Sequence, residues 1–241
     1  MFMNFIKKIF RKIVYPNTYS EEAYINYLID KKVLIGKNVK IWSPKNTYID
    51  VTKPYLIKIG DYVKITSGVV ILAHDYSHSV LRREFGEFKG GTLPVTIGDN
   101  VFIGMNSTIL MGTSIGDNCI VGANSLVKGT FPNNSVIAGN PAKIICKTSE
   151  LWEKVSESWI NDAVLVARTI YKNKGNILPT IEEMSDAYAW LYLPREEETI
   201  EKYKVFFNLS CDDFEEIKRV YMNSTPVFGS FEEFLDYCEL K

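Results

Sequence analysis

The sequence predicts a mainly β protein whose middle is a coiled parallel β-structure, with a helical segment before it and a helical extension after it. Aliphatic residues recur every six positions in the middle of the chain, 13 of the 15 glycines lie before residue 150, and helix start signals recur after it. With 241 residues, of which 46% are hydrophobic, the chain can bury a substantial core. This composition excludes a disordered chain or a collagen-like repeat.

Residues 1–32 form the predicted N-terminal helical segment. Within residues 1–16, apolar side chains recur at helical spacing and every charged side chain is basic. Such a helix either lies on an anionic membrane surface or packs on the end of the β-coil and covers it. The sequence leaves both interpretations open.

The strongest pattern is a six-residue period in residues 33–146. Neither an isolated helix nor an amphipathic strand has this period. It fits a solenoid in which six residues form one short strand and one turn, three such units close a triangular coil, and the aliphatic side chains fill the interior. One uninterrupted register contains Ile97, Ile103, Ile109, Ile115, Val121 and Val127.

The period breaks between Ile71 and Val95. Residues 75–94 are too long and polar for a corner of the coil, so we predict a loop extruded from the solenoid, where functional residues concentrate. The two histidines of the chain fall here, His74 at the root of the loop and His78 within it.

The segment from Ile97 to Lys143 closes with the run Gly-Asn-Pro-Ala-Lys and resembles the hexapeptide-repeat acyltransferases. Within them it is most similar to the sugar O-acetyltransferases of the maltose, galactoside and nodulation-factor type and to their relatives in capsule or O-antigen synthesis. The resemblance covers residues 33–146. It implies a left-handed parallel β-helix, a homotrimer, acetyl-CoA as the acyl donor and no metal.

The family places its catalytic histidine at the root of such a loop, followed by a polar stretch and an arginine, which maps onto His74 and Arg82. A sugar hydroxyl is a weak nucleophile until its proton is removed, and imidazole, with an ordinary pKa near ~6.5, suits that task. We hypothesise that His74 is the general base for direct transfer, without a covalent intermediate. Asp75, His78 and Arg82 are the predicted acceptor contacts. Asp75 could also orient His74, although adjacent residues in an extended chain often point apart.

By the same resemblance, the pantetheine arm of coenzyme A lies along the coils between two subunits. The implied contacts are Gly104, Met105, Ala123, Lys128 and Lys143, with the adenosine phosphates at Lys143. The charge distribution suits an anionic donor, because residues 1–150 contain 18 Lys and Arg against 11 Asp and Glu, whereas residues 151–241 contain 10 against 18.

Residues 147–241 are the predicted α-helical extension, which the resemblance does not cover. Thr180 with Glu183 and Ser230 with Glu233 match capping boxes, and Ser210 begins a weaker third start signal. We interpret an apolar stripe near the start of the extension as a packing surface, not a ligand site; it contains Leu151, Trp152, Val155 and Trp159. The extension could cover the coil, build part of the acceptor cleft or contact a partner.

Two other functions stay open: N-acetylation of an amino sugar or antibiotic on the same fold, and a non-catalytic trimeric scaffold. The zinc carbonic anhydrases of this fold need three histidines from separated coils, which two histidines in one loop cannot supply. The chain contains no C-x-x-C pair, no membrane-spanning apolar run and no secretory signal. We therefore expect a cytoplasmic protein without nucleic acid partners, whose residues 1–16 are the candidate contact to the inner membrane face.

Overall fold

The computed structural model describes residues 12–184 and 188–240. The chain divides into two compact units, one ending at Leu151 and the other running from Trp152 to the end. Most of the predicted helix of residues 1–16 lies outside the described residues; of its end, residues 12–14 are helical.

The first unit is a triangular parallel β-helix of very short strands. In chain order they are β1 (Leu34–Ile35), β2 (Lys40–Ile41), β3 (Tyr48–Ile49), β4 (Ile57–Ile59), β5 (Lys64–Ile65), β6 (Val70–Ile71), β7 (His74–Asp75), β8 (Gly91–Thr92), β9 (Val95–Ile97), β10 (Phe102–Ile103), β11 (Thr108–Ile109), β12 (Ser114–Ile115), β13 (Ile120–Val121), β14 (Leu126–Val127), β15 (Thr130–Phe131), β16 (Ser135–Gly139) and β17 (Ala142–Lys147). Its helices are α1 (Glu21–Asp30) and α2 (Ser79–Phe85), with 3₁₀ turns at Pro44–Asn46 and Pro54–Leu56.

Successive coils stack strand on strand to make three faces. The first face has the order β1-β4-β9-β12-β15, the second β17-β16-β13-β10-β5-β2, and the third β14-β11-β6-β3. The pairing within these faces is parallel, except that β17 returns antiparallel to β16. Ile65, Ile103 and Val121 are partners in consecutive coils and are completely buried. Each such side chain stabilises the coil by about 1.5–3 kcal/mol through burial. The predicted fold class, a left-handed parallel β-helix with a helical extension, is confirmed.

The corner between the first and second faces is held by acidic side chains that bond to the neighbouring coil. Asp61 Oδ1 accepts from Lys37 N at 2.7 Å, Asp99 Oδ1 from Asp61 N at 2.8 Å, and Asp117 Oδ1 from Asp99 N at 2.8 Å. Asn133 Oδ1 continues the series, accepting from Asp117 N at 3.0 Å. We call Asp61, Asp99, Asp117 and Asn133 the corner ladder.

Helix α1 packs on the first coil. Ser20 caps its N-terminus by accepting from Ala23 N, and Leu28 is completely buried. Glu21 Oε1 accepts from Ile41 N at 2.8 Å. The Tyr24 hydroxyl donates to the Thr47 carbonyl and accepts from Ile49 N, both at 3.1 Å. Side chains of the helix thereby form hydrogen bonds with backbone groups at the edge of the first coil. Without the helix, no neighbouring strand among the described residues would pair with those groups.

The second unit is helical. Its elements are α3 (Thr148–Asn173, which begins in the first unit), α4 (Ala189–Tyr192), α5 (Glu197–Lys202), α6 (Lys204–Phe207), a 3₁₀ turn at Asn208–Ser210, α7 (Phe214–Met222) and α8 (Phe231–Tyr237). Tyr192, Tyr221 and Phe234 are the largest side chains of its core. Ser230 caps α8 as predicted, whereas α7 is capped by Asp213 and not by Ser210. Within the described part of the chain, none of the helices is long and apolar enough to cross a membrane.

Candidate active site

His74 lies where the chain leaves the third face of the β-helix. Strand β6 ends at Ile71, and His74 then pairs with Thr92 in the antiparallel hairpin β7-β8, whose tip carries helix α2. The predicted loop is therefore an ordered hairpin. The pairing of His74 with Thr92 fixes the backbone of His74, as the precise placement of a catalytic side chain requires.

A buried carboxylate from the preceding coil holds the His74 ring. Asp50 is completely buried, and its Oδ2 lies 2.5 Å from His74 Nδ1. The side chain of His74 is 14% exposed. The Thr52 hydroxyl lies 3.0 Å from the same nitrogen. His74 Nδ1 thus faces an acceptor-only carboxylate, which makes it the protonated nitrogen and leaves the Nε2 lone pair available as a base.

Asp50 is built to stay ionised. Burial alone raises the pKa of its carboxyl group, but hydrogen bonds from the Thr52 hydroxyl and backbone, from His74 and from the Ala73 backbone outweigh it, so the pKa lies below the usual value. Thr52 donates to Oδ1 through its hydroxyl at 2.7 Å and its backbone N–H at 2.8 Å, and Ala73 N donates to Oδ2 at 3.1 Å.

The sequence pattern does not single out Asp50 or Thr52. Ile49 pairs with Ile71 at an offset of 22 residues, whereas Ile109 pairs with Val127 at an offset of 18, so the regular period does not align this carboxylate with His74. One feature of the sequence could have indicated Asp50: it is an acidic residue that directly follows Ile49, whose side chain points into the coil. The carboxylate that contacts His74 Nδ1 belongs to Asp50, and not to Asp75.

The other predicted acceptor contacts lie along the hairpin. Asp75 Oδ1 accepts from Ser77 N at 2.8 Å, and its Oδ2 is 3.8 Å from His78 Nε2. Hydrogen bonds from Ser77, followed by the charges of His78 and Lys128, lower the pKa of Asp75. His78 Nδ1 contacts the Lys89 carbonyl. Arg82 lies on exposed α2, where its N–H donates to the His78 carbonyl at 3.0 Å.

One aromatic ring stands beside the catalytic candidate. The ring of Tyr76 lies 4.3 Å from that of His74, measured between centroids, and is tilted by 42°. Tyr76 is 61% exposed.

The predicted donor contacts do not form one cluster within a single chain. Lys128 follows β14 and lies at the same corner as His74, where its charge acts on Asp75. Met105 and Ala123 lie at the corner after the second face, and Asn124 N donates to the Met105 carbonyl at 2.8 Å. Lys143 is exposed on β17.

Gly104 has a structural reason to be glycine. A Cβ there would lie 2.5 Å from Ala123 N and 2.8 Å from Val121 O, so the next coil needs the space. The absence of a side chain at Gly104 is therefore required by the stacking of the coils, independently of any ligand that binds at this corner.

The stacked six-residue turns define a hexapeptide-repeat protein, and the His74–Asp50 pair is its candidate active site. The family described as "Hexapeptide repeat of succinyl-transferase" matches residues 94–128. Protein CapG of Staphylococcus aureus is 42% identical over 148 residues, which are 61% of this chain and 81% of CapG. The chain belongs to the hexapeptide-repeat acyltransferases and is an acyltransferase, which confirms the resemblance.

Two further relatives have informative names. The putative lipopolysaccharide biosynthesis O-acetyl transferase WbbJ of Escherichia coli (strain K12) is 36% identical over 134 residues, 51% of this chain and 65% of WbbJ. The galactoside O-acetyltransferase of the same organism is 32% identical over 142 residues, 58% of this chain and 65% of that enzyme.

Proposed function

We propose that this protein is an acetyl-CoA-dependent O-acetyltransferase that acetylates a sugar hydroxyl in surface polysaccharide biosynthesis. The observation that carries the proposal is the His74–Asp50 pair: Nδ1 of the imidazole faces a buried carboxylate at 2.5 Å, in a chain of acyltransferase ancestry. The names of WbbJ and the galactoside enzyme support a sugar as the acceptor and acetyl as the transferred group.

In this mechanism His74 Nε2 takes the proton of the acceptor hydroxyl as that oxygen attacks the acetyl carbonyl. The C–S bond of the thioester then breaks, and the imidazolium returns the proton to the leaving coenzyme A thiolate. The ionised Asp50 stabilises the imidazolium that forms and keeps the ring in the orientation that aims Nε2 outward. No covalent enzyme intermediate is needed, because the base acts on the acceptor itself. Asp75, His78 and Arg82 are proposed to contact the acceptor near the hairpin.

The donor is proposed to be held by Gly104, Met105, Ala123, Lys128 and Lys143. Met105, Ala123, Lys128 and Lys143 are exposed and offer small or apolar surface for an extended thiol arm and ammonium groups for phosphates. Because Lys128 and Met105 lie at different corners of one chain, the proposal places the donor between two copies of the protein in a homotrimer. Bound acetyl-CoA supplies the activated acetyl thioester, and the chain supplies the base and the binding surface.

The cytoplasm is the proposed compartment, since acetyl-CoA is the donor. Contact of residues 1–16 with an anionic membrane surface belongs to the same proposal. Flotation of the full chain and of a chain lacking residues 1–16 on anionic vesicles tests that contact: flotation of the full chain alone supports it, and equal failure of both contradicts it.

The test of function is thiol release from acetyl-CoA with a panel of glycans and amino sugars. We expect release with a sugar lacking a free amine, and loss of about 10²- to 10⁴-fold in kcat in His74→Ala. His78→Ala is the matched control, because the second histidine lies in the same hairpin, and its kcat should stay far above that of His74→Ala.

Each alternative gives a different result. Release with amino sugars only and a mild effect of His74→Ala would indicate N-acetylation, because an amine needs the base less. No release with any acceptor, together with no coenzyme A binding by calorimetry, would contradict the proposal and favour a scaffold.

A further inference from the structure

A cavity of about 550 Å³ lies within the helical second unit, a size typical of small-molecule sites. Three of the four tryptophans of the chain line it: Trp152, Trp159 and Trp190. Two of them come from α3 and the third from α4. Of the stripe that the sequence indicated as a packing surface, Trp159 packs against the core of this unit, and Trp152, Val155 and Trp159 line the cavity.

One indole is rigidly held and another is open to a ligand. Trp190 packs edge-on against Phe207 and Tyr221, with ring centroids 5.8 Å and 5.2 Å away. Trp152, in contrast, is 73% exposed. A lining that combines a packed indole with an exposed indole is suited to a ligand with apolar faces.

The cavity also contains hydrogen-bonding groups. Arg195 lines it and donates Nε to Ser224 Oγ at 2.9 Å, Nη1 to the Leu193 carbonyl at 2.5 Å and Nη2 to the Trp190 carbonyl at 2.7 Å. A guanidinium carries five N–H groups. These bonds use three of the N–H groups, and the guanidinium also lies over the Tyr221 ring, 4.3 Å from its centroid, so the charge of Arg195 is held in the cavity lining.

The residues that line the cavity favour some ligands over others. A purely apolar partner, such as the face of an amphipathic helix, would bury the charge of Arg195 and the hydroxyls of Ser156 and Thr225 without offering them a hydrogen bond, which is costly. A pyranose ring meets both demands, because its C–H faces stack on indole and its hydroxyl or carboxylate oxygens accept from a guanidinium. Ser156 and Thr225 add hydroxyl groups to the same lining.

We propose that this cavity binds a sugar unit of the polysaccharide that the enzyme acetylates. The choice of ligand rests on the proposed function. A second glycan contact on the same chain raises the effective concentration of the acceptor polymer at the enzyme. The site then favours polymeric over monomeric acceptors, which gives the acidic helical extension a role in substrate selection.

The direct test is calorimetry with short oligosaccharides of hexoses, N-acetylhexosamines and hexuronic acids, added to the full chain without acetyl-CoA. We expect at least one oligosaccharide to bind, and Trp152→Ala to bind it at least about ten-fold more weakly. Leu165→Ala is the control, a truncation to alanine of another exposed apolar residue on the same helix and outside the cavity lining. Its affinity should equal that of the unmodified protein.

A second readout separates this inference from the proposed function. In acetyl transfer, Trp152→Ala should raise KM for the polysaccharide and leave kcat and KM for a monosaccharide unchanged. Glycan binding that needs Trp152, without transfer to any sugar, would contradict the proposed function and leave the cavity assignment standing. Absence of oligosaccharide binding, unchanged binding in Trp152→Ala, or an altered oligomeric state of Trp152→Ala without altered glycan binding would overturn the cavity assignment.

Discussion

Two corners of the same β-helix use aspartate in different ways. In the corner ladder, Asp61 and Asp117 are partly exposed and Asp99 is exposed, and each accepts a backbone N–H of the neighbouring coil. At the hairpin corner, Asp50 is completely buried and accepts from Thr52, from Ala73 N and from His74. A ladder residue needs only an acceptor oxygen, whereas Asp50 needs its charge. The difference teaches that burial and hydrogen-bond donors, and not residue type, decide which acidic side chain can hold an ionised carboxylate beside a histidine.

The largest effect is expected from Asp50→Asn. The amide can turn its NH₂ group toward His74 Nδ1, which favours the wrong tautomer, and it cannot stabilise an imidazolium by charge. We predict a fall in kcat of about 10²-fold with little change in KM for acetyl-CoA. Steady-state kinetics measures both. The same substitution in the ladder, Asp99→Asn, should leave kcat unchanged, and equal losses in the two variants would contradict the distinction.

The next largest effect is expected from a substitution that disturbs the stacking of the coils beside the corner ladder. A Cβ on Gly98 would lie 2.3 Å from Asp117 Oδ1 and 2.8 Å from the Gly116 carbonyl carbon. Because backbone must move, Gly98→Ala should lower the free energy of unfolding by about 1–3 kcal/mol. Urea unfolding measures the loss. Gly122→Ala is the control with a smaller expected loss, since its Cβ would meet Ala138 Cβ at 2.9 Å and backbone only at 3.6 Å.

The charge of Asp50 should also appear in the pH dependence of stability. The pKa of Asp50 is lower in the folded protein than in the unfolded chain. The ionised carboxylate therefore contributes its full share of the free energy of unfolding above the pKa of the unfolded chain, and that share is lost as the pH falls through the pKa of the folded protein. We predict that the stability gap between the unmodified protein and Asp50→Asn is widest near neutral pH and narrows in acid. Unfolding curves at several pH values measure it, and a gap that widens in acid would show that the carboxyl is not held ionised.

The smallest effect is expected from exchanging one ladder residue. Asp99→Ala removes the acceptor of Asp61 N and should destabilise the protein by about 1 kcal/mol. Asp99→Asn keeps an oxygen there, as Asn133 does for Asp117 N, and should stay within about 0.5 kcal/mol of the unmodified protein. Thermal unfolding of both variants compares them. A loss in Asp99→Asn as large as in Asp99→Ala would mean that the ladder, too, depends on charge.

The β-helix could be predicted because its signal is local and repeated. Every turn from Ile97 to Val127 places an aliphatic side chain inward, and all six are buried as the six-residue period requires. His74 could be singled out because the period breaks there. Asp50 could not, because its alignment with His74 depends on how the first coils stack and not on distance along the chain.

The second unit could be predicted from the sequence only in part. Capping at Ser230 is a local signal, and the helix begins where it predicts. The cavity lined by Trp152, Trp159 and Trp190 depends on residues that are distant in sequence, so the stripe on α3 alone could not predict it.

The central claim, that Asp50 sets His74 as a base, is tested most directly by the tautomer of His74. Nitrogen-15 NMR of the histidine-labelled protein reads the protonation of each ring nitrogen, and His78→Ala assigns the signals, since the chain has two histidines. We predict that His74 is protonated at Nδ1 and bears a lone pair at Nε2 under conditions where the ring is neutral. A neutral ring protonated at Nε2 would contradict the account.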